Sequence, residues 1–165
     1  MIAKGRFALA TLMAWLLFLT IDFLAHAVLL SSFWAQDLTA LRSKDDLFRL
    51  IPFGYSSFLI LTLLFGWLYS RLFKTDGSTQ KGLTFGAICG GTLALAIFLS
   101  WYSFLNLPPL FLFLASLVYF VEIMGVGFVF GYLLHPVSIK KRVWIILSFI
   151  VIGLFLGIAL QNITP

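Results

Sequence analysis

Five long stretches of apolar residues, separated by short polar connections, dominate this chain. A helix needs about 20 apolar residues to cross a hydrocarbon core of ~30 Å. The stretches that satisfy or nearly satisfy this length are Phe7–Leu30, Phe53–Phe73, Leu83–Leu105, Leu110–Leu134 and Val143–Leu160. The pattern therefore predicts an all-α integral membrane protein in which residues 1–165 form a single domain, a bundle of five transmembrane helices.

Prolines and one polar turn separate these stretches. Pro52 is expected to begin the second helix, since a missing amide donor does least harm in the first turn. Pro108-Pro109 predicts a tight reversal between the third and fourth helices, and Pro136 is expected to close the fourth. Asp76-Gly77-Ser78 is typical of a turn between the second and third.

The composition excludes most soluble activities. Hydrophobic residues make up 62% of the chain and charged residues only 10%, whereas a soluble domain carries about 25% charged residues. The longest polar connection, roughly Ala35–Ile51, is shorter than the ~50 residues of a small domain. The single cysteine, Cys89, permits neither an intrachain disulfide nor a Cys-x-x-Cys redox pair. We therefore expect no enzymatic activity and no nucleic-acid partner.

The basic residues predict an orientation in the membrane. Lys and Arg accumulate on the cytoplasmic side of membrane proteins. One side of the predicted bundle holds Lys4, Arg6, Arg71, Lys74, Lys81, Lys140, Lys141 and Arg142, and the other holds only Arg42, Lys44 and Arg49. The distribution predicts the N-terminus inside and the C-terminus outside. Lys140, Lys141 and Arg142 would then attract anionic lipid headgroups of the inner leaflet.

The outer connection between the first two helices mixes apolar and charged residues, "QDLTALRSKDDLFRLIP". Such a mixture is typical of a short amphipathic helix that lies on the membrane interface. The alternative is a docking segment for a partner protein.

Ionisable residues inside the apolar stretches are the candidates for function. Asp22 and His26 lie four residues apart in the first stretch, and Glu122 lies near the middle of the fourth with Tyr119 one turn away. With the predicted orientation, Asp22, His26 and Tyr119 fall in the outer half of the membrane and Glu122 near its middle. An ionisable residue at this depth usually has a partner and often marks a functional site. We therefore predict an outward-opening polar pocket lined by these four side chains.

Three interpretations of this pocket stay open at this stage. In the structural one, Asp22 and His26 form a local pair and Glu122 bonds to a Tyr, Ser or Trp side chain. In the second, the pocket handles a proton or an ion. In the third, His26 is a weak candidate ligand for haem, a pigment or another metal, with a carboxylate orienting it. His135 is expected at the opposite membrane face, so ligation by two histidines of one subunit is not predicted, and no catalytic motif is present.

Glycines recur every four residues in three of the predicted helices. They are Gly82, Gly86 and Gly90, then Gly127 and Gly131, then Gly153 and Gly157. Small residues at this spacing let helix backbones approach closely within lipid. We expect the third and fourth helices to form a tight hairpin on the cytoplasmic side.

These observations favour a non-enzymatic structural or accessory subunit. Such a protein would be a multi-pass protein of the cell membrane, expected in a bacterial inner membrane. It would either self-associate or pack against other membrane subunits. The alternatives are a small transporter or binder of an ion or small molecule through Asp22, His26, Tyr119 and Glu122, or a subunit that holds haem or a pigment. No cofactor is the first expectation.

Overall fold

The structure, a computed structural model, describes residues 3–34, 42, 44–134 and 138–162. Every regular element within those residues is helical. The elements are α1 (Lys4–Leu24), a π-helical turn (Ala25–Leu29), α2 (Ser31–Trp34), α3 (Lys44–Leu72), α4 (Thr79–Phe104), α5 (Pro109–Leu133) and α6 (Ile139–Gln161). In this part of the chain, five helices are long and apolar enough to cross a membrane, namely α1 with its π turn, α3, α4, α5 and α6. The prediction of five apolar helices is confirmed.

The second long helix begins earlier than expected. α3 starts at Lys44 and contains Pro52 in its interior, so the prediction that Pro52 begins this helix is wrong. Residues 45–51 are all exposed, so water can hydrate the Phe48 carbonyl that the proline leaves without an amide donor. Of the predicted interfacial segment, residues 44–51 are the first two turns of α3, whereas residues 35–41 and 43 lie outside the described part.

α5 occupies the centre of the bundle. It packs against α1, α3, α4 and α6, and 44% of its spanning residues are buried inside the chain, against 11% for α3 and 17% for α6. Aromatic rings fill the space around it, and the ring of Phe18 on α1 stacks on that of Phe58 on α3 at a centroid distance of 4.4 Å. A polar side chain that points inward from α5 is therefore surrounded by protein.

The basic residues gather at one end of the bundle. Arg6, at the start of α1, donates from Nε to the carbonyl of Leu133 at the end of α5 (2.7 Å). Arg142, in the first turn of α6, donates to the carbonyl of Tyr132. These arginines satisfy carbonyls that the end of α5 leaves without helical partners, and the first contact shows that α1 and α5 run antiparallel. We call this the basic end, and its assignment to the cytoplasm stays a prediction.

Glycines bring the backbones of α4 and α5 into direct contact. A Cβ atom added at Gly82 would lie 2.8 Å from Cα of Gly131, and one added at Gly127 would lie 2.7 Å from Cα of Gly86. At Gly90 an added Cβ would lie 2.8 Å from the carbonyl oxygen of Phe120. Real Cβ atoms do not approach backbone this closely, so these positions need glycine.

The glycines of α6 are also used inside the chain. A Cβ atom at Gly153 would lie 2.7 Å from Cγ2 of Thr20, and one at Gly157 would collide with the ring of Phe23. Both neighbours belong to α1. The glycine stripes are therefore occupied by helices of the same molecule, and they are not open surfaces for a second copy.

Candidate functional site

Glu122 is a carboxylic side chain sealed inside the bundle. It projects from the middle of α5 and is only 1% exposed. Its Oε1 atom has no hydrogen-bond partner among the described residues. Most buried polar atoms in proteins do have one. The structural interpretation expected a Tyr, Ser or Trp donor for Glu122, and within the described ranges no such donor reaches Oε1.

Asp22 lies on the neighbouring helix, within electrostatic range of Glu122. A Cβ atom at Gly125 of α5 would lie 3.1 Å from Cδ1 of Ile21 on α1. Glu122 is one turn before Gly125 on the same side of α5, and because the helices are antiparallel it faces the turn of α1 that starts at Asp22. The two carboxyl groups are close enough to interact electrostatically. The structure thus brings together two residues that the sequence separates by most of its length.

Two tyrosines border the carboxyl groups. The ring of Tyr119 contacts Phe58 of α3 (6.4 Å between centroids) and Trp101 of α4 (6.2 Å), in both cases edge-on, and it interacts electrostatically with Glu122 and Asp22. Tyr55 of α3 also interacts with Asp22. We call Asp22, Glu122, Tyr119 and Tyr55 the carboxyl cluster. Tyr55 was not among the sequence candidates, although its place near the predicted outer end of the second helix was a usable signal.

His26 does not complete this cluster with a hydrogen bond. It lies in the π-helical turn, where the amide of Leu30 donates to the carbonyl of Ala25 (2.8 Å). Its Nε2 atom is 3.8 Å from Oδ1 of Asp22, beyond hydrogen-bond distance. Its Nδ1 atom accepts a bond from Nε1 of Trp34 (3.1 Å). Because an accepting nitrogen keeps its lone pair, the ring proton is on Nε2 and the imidazole is neutral.

The bonding of His26 is unlike that of a usual metal ligand. A metal-bound histidine normally donates its second ring N–H to an acceptor, whereas His26 accepts at Nδ1. No group of three His, Cys, Asp or Glu side chains that could hold a metal occurs in the described ranges. His135, the other histidine, lies outside them. This donor arrangement does not favour the haem or pigment hypothesis, which stays a prediction.

Trp34 is a site residue that sequence reasoning missed. Its ring packs edge-on against Phe111 at the start of α5 (5.0 Å) and against His26 (5.4 Å). The signal in the sequence was the spacing of Trp34 from His26, since eight residues are just over two helical turns and return to the same side. Trp34 lies beyond the predicted end of the first helix, where the apolar pattern predicts no helical spacing. It closes the end of the bundle nearest to the carboxyl cluster.

Replacing Trp34 by phenylalanine tests the hydrogen bond between Trp34 and His26. Trp34→Phe keeps an aromatic ring near Phe111 and removes the N–H donor to His26, so we expect a loss of about 1 kcal/mol of stability. Nitrogen NMR of the imidazole should show a change in the tautomer balance of His26, with the second histidine assigned through His135→Asn. Unchanged imidazole shifts would show that the Trp34–His26 bond does not hold in the protein.

Comparison with protein-family models, with curated proteins and with solved structures found no match for this chain. The functional argument therefore rests on the geometry of the carboxyl cluster and on the chemistry of its residues.

Proposed function

We propose that this protein is a non-enzymatic multi-pass membrane protein that binds a small cation at Asp22 and Glu122. The observation that carries the proposal is the buried Oε1 atom of Glu122, which has no hydrogen-bond partner in the described part of the chain. Leaving a buried polar atom without a hydrogen-bond partner lowers the stability of the folded protein by about 1–3 kcal/mol. A bound cation would supply the missing interaction.

The surroundings of the two carboxyl groups favour a positive ligand. Asp22 and Glu122 carry the same charge when ionised, and like charges in an apolar interior disfavour each other. Among the described residues, the nearest cationic candidate is His26, which is neutral while Trp34 donates to its Nδ1 atom. A cation between the carboxyl groups offsets their repulsion and the cost of their burial together.

The exposure of the residues suggests a route of entry. The side chains of Asp22 and His26 are 20% and 24% exposed, whereas Glu122 is sealed. A cation would meet Asp22 first and Glu122 second. With only two carboxyl groups and two tyrosines, the carboxyl cluster offers few oxygen ligands, whereas calcium takes six to eight. We therefore propose a proton or a monovalent cation as the occupant.

A cation titration of thermal stability tests this proposal. A ligand at 100 times its dissociation constant stabilises the folded state by about 2.7 kcal/mol, and each kcal/mol raises Tm by about 2–4 °C for a chain of this size. We expect Na⁺ or K⁺, exchanged against choline at constant ionic strength, to raise the Tm of the wild-type protein. Asp22→Asn should abolish the response.

The matched control is Asp45→Asn, which removes a carboxylate from the exposed start of α3. It should respond to the cation as the wild type does. Equal responses of all three proteins would show a general salt effect and contradict the proposal for metal cations. If the occupant is a proton, the wild type should instead show an infrared band of a protonated carboxyl group that Glu122→Gln removes.

The accessory-subunit interpretation remains a second candidate, and the exposed start of α3 favours it. This segment includes Phe48, which is 76% exposed, and α3 has 29 residues. A helix of that length extends about 43 Å, longer than the ~30 Å hydrocarbon core. Its first turns would then stand outside the membrane core, where a partner can reach them. Mass measurement of the complex extracted in mild detergent separates the candidates, since a solitary monomer would count against a subunit role.

A further inference from the structure

A second polar site lies at the basic end, far from the carboxyl cluster. It is a cleft of about 820 Å³ between the start of α1 and the end of α3. Its lining includes Lys4, Phe7, Trp67, Ser70, Arg71 and Lys74. The cleft therefore combines three cationic side chains with two aromatic rings, and we call it the basic cleft.

Within the described residues, the cations of the basic cleft have no anionic partner. No Asp or Glu lines the cleft, and none of Lys4, Arg71 and Lys74 forms an ion pair within the ranges described. The acid next along the chain, Asp76, is paired with Lys81. Three like charges around one space repel each other unless an anion lies between them, and an arginine with lysines beside it is well suited to phosphate.

The start of α1 adds to this preference for an anion. Its N-cap residue, Ala3, provides no side-chain hydrogen bond to the first turn, although the Arg6 amide donates to the Ala3 carbonyl (3.0 Å). Unsatisfied amides at a helix start attract negative groups, because they point outward and carry the positive end of the helix dipole. Lys4 belongs to this turn and lines the basic cleft, so the positive end of the helix dipole lies beside the cleft.

The aromatic wall of the basic cleft indicates a lipid and not a soluble anion. Trp67 is 50% exposed, and the guanidinium of Arg71 lies over its ring at 5.7 Å. Tryptophan is enriched at the level of lipid headgroups, and Phe7 extends the apolar wall toward the bundle. An anionic phospholipid matches both parts, with its phosphate at the cations and its glycerol backbone at the rings.

The basic cluster at the start of α6, formed by Lys140, Lys141 and Arg142, differs from the basic cleft because its arginine already has partners within the chain. The guanidinium of Arg142 donates to the carbonyl of Tyr132 and lies over the Tyr132 ring at 4.5 Å. It is therefore engaged in capping α5. We propose that the basic cleft, and not the start of α6, is the specific binding site of this protein for the phosphodiester headgroup of an anionic phospholipid.

Native mass spectrometry of the full-length protein, titrated with dioleoyl phosphatidylglycerol or dioleoyl phosphatidylcholine, tests this proposal. We expect the first phosphatidylglycerol to bind more tightly than phosphatidylcholine. Each basic residue near a membrane surface contributes about a fivefold factor in affinity, so Arg71→Gln with Lys74→Gln should weaken phosphatidylglycerol binding roughly 25-fold. If that variant does not fold, Lys4→Gln with Lys74→Gln removes the same charge through two exposed side chains.

The matched control is Lys140→Gln with Lys141→Gln, which removes two charges from the same end of the bundle. It should change the affinity of the first phosphatidylglycerol by less than about twofold. Equal affinity for both lipids, or an equal loss in the control, would overturn the proposal. Displacement of phosphatidylglycerol by inorganic phosphate at millimolar concentration would also overturn it, because the site would then select free phosphate.

Discussion

Replacing Glu122 by methionine should raise the thermal stability of the cation-free protein and abolish its response to the cation. Methionine has a similar length and no polar atom to leave without a partner, so the substitution removes a burial cost of about 1–3 kcal/mol. At about 2–4 °C for each kcal/mol, the increase in Tm should be measurable by differential scanning calorimetry in detergent. The proposed cation site would lower stability when its ligand is absent, as functional sites commonly do.

Thr11→Val is the matched control for this experiment. Oγ1 of Thr11 is the other buried side-chain atom without a partner in the described part of the chain, and Thr11 is not part of the carboxyl cluster. Thr11→Val should also raise Tm in the absence of cation, but it should leave the cation response unchanged. If Glu122→Met instead lowers Tm, by an amount that corresponds to several kcal/mol of stability, then Glu122 has a stabilising partner inside the bundle. That result would support the structural interpretation, in which Glu122 bonds to a Tyr, Ser or Trp side chain.

Replacing Gly127 by alanine should destabilise the bundle strongly. The added Cβ atom would lie 2.7 Å from Cα and 2.8 Å from the amide nitrogen of Gly86. These are backbone atoms, so no side-chain rotation relieves the contact, and α4 must move away from α5. Overpacking of this kind costs about 1–3 kcal/mol and occasionally more. The lowered Tm, and a lower yield of monodisperse protein, are the measurements.

Gly91→Ala separates packing from helix propensity. Gly91 also lies on α4, but the nearest atom to its added Cβ would be in the ring of Phe120 at 3.8 Å, an ordinary contact. Both substitutions change glycine to alanine in a helix, which by itself favours the helix by about 0.5–1 kcal/mol. Gly91→Ala should leave Tm unchanged or raise it. Similar losses in both variants would show that the close approach of the α4 and α5 backbones does not contribute to stability.

The carboxyl cluster could be predicted only in part. Asp22, His26, Tyr119 and Glu122 stood out because charged and polar residues are rare in spanning helices, and that signal is local to each helix. Which face each residue presents is set by helix rotation, and rotation depends on packing between distant segments. The sequence pattern therefore could not tell that Asp22 lies within electrostatic range of Glu122, or that His26 accepts a hydrogen bond from Trp34 while its other nitrogen lies 3.8 Å from Asp22.

The π-helical turn explains part of that difference. A regular α-helix would continue unchanged toward Trp34, whereas in the turn at Ala25–Leu29 the amide of Leu30 bonds to the carbonyl of Ala25, five residues back, and the chain that follows is rotated. The longer start of α3 was missed for a similar reason. Pro52 is a helix breaker by local rules, and exposed early turns tolerate it.

The sequence by itself determined the number of apolar helices, but not all of their boundaries, since Pro52 lies inside α3. It also determined the segregation of basic residues, because chain reversals between successive spans place alternate connections at the same end. Hydrophobicity and length are properties of each segment alone, so they can be read without knowing its neighbours. The tertiary structure decided which helices the glycines join, which carboxyl groups meet around Glu122 and which cations share the basic cleft. Those features depend on contacts between residues far apart in the chain, and only the packed bundle defines them.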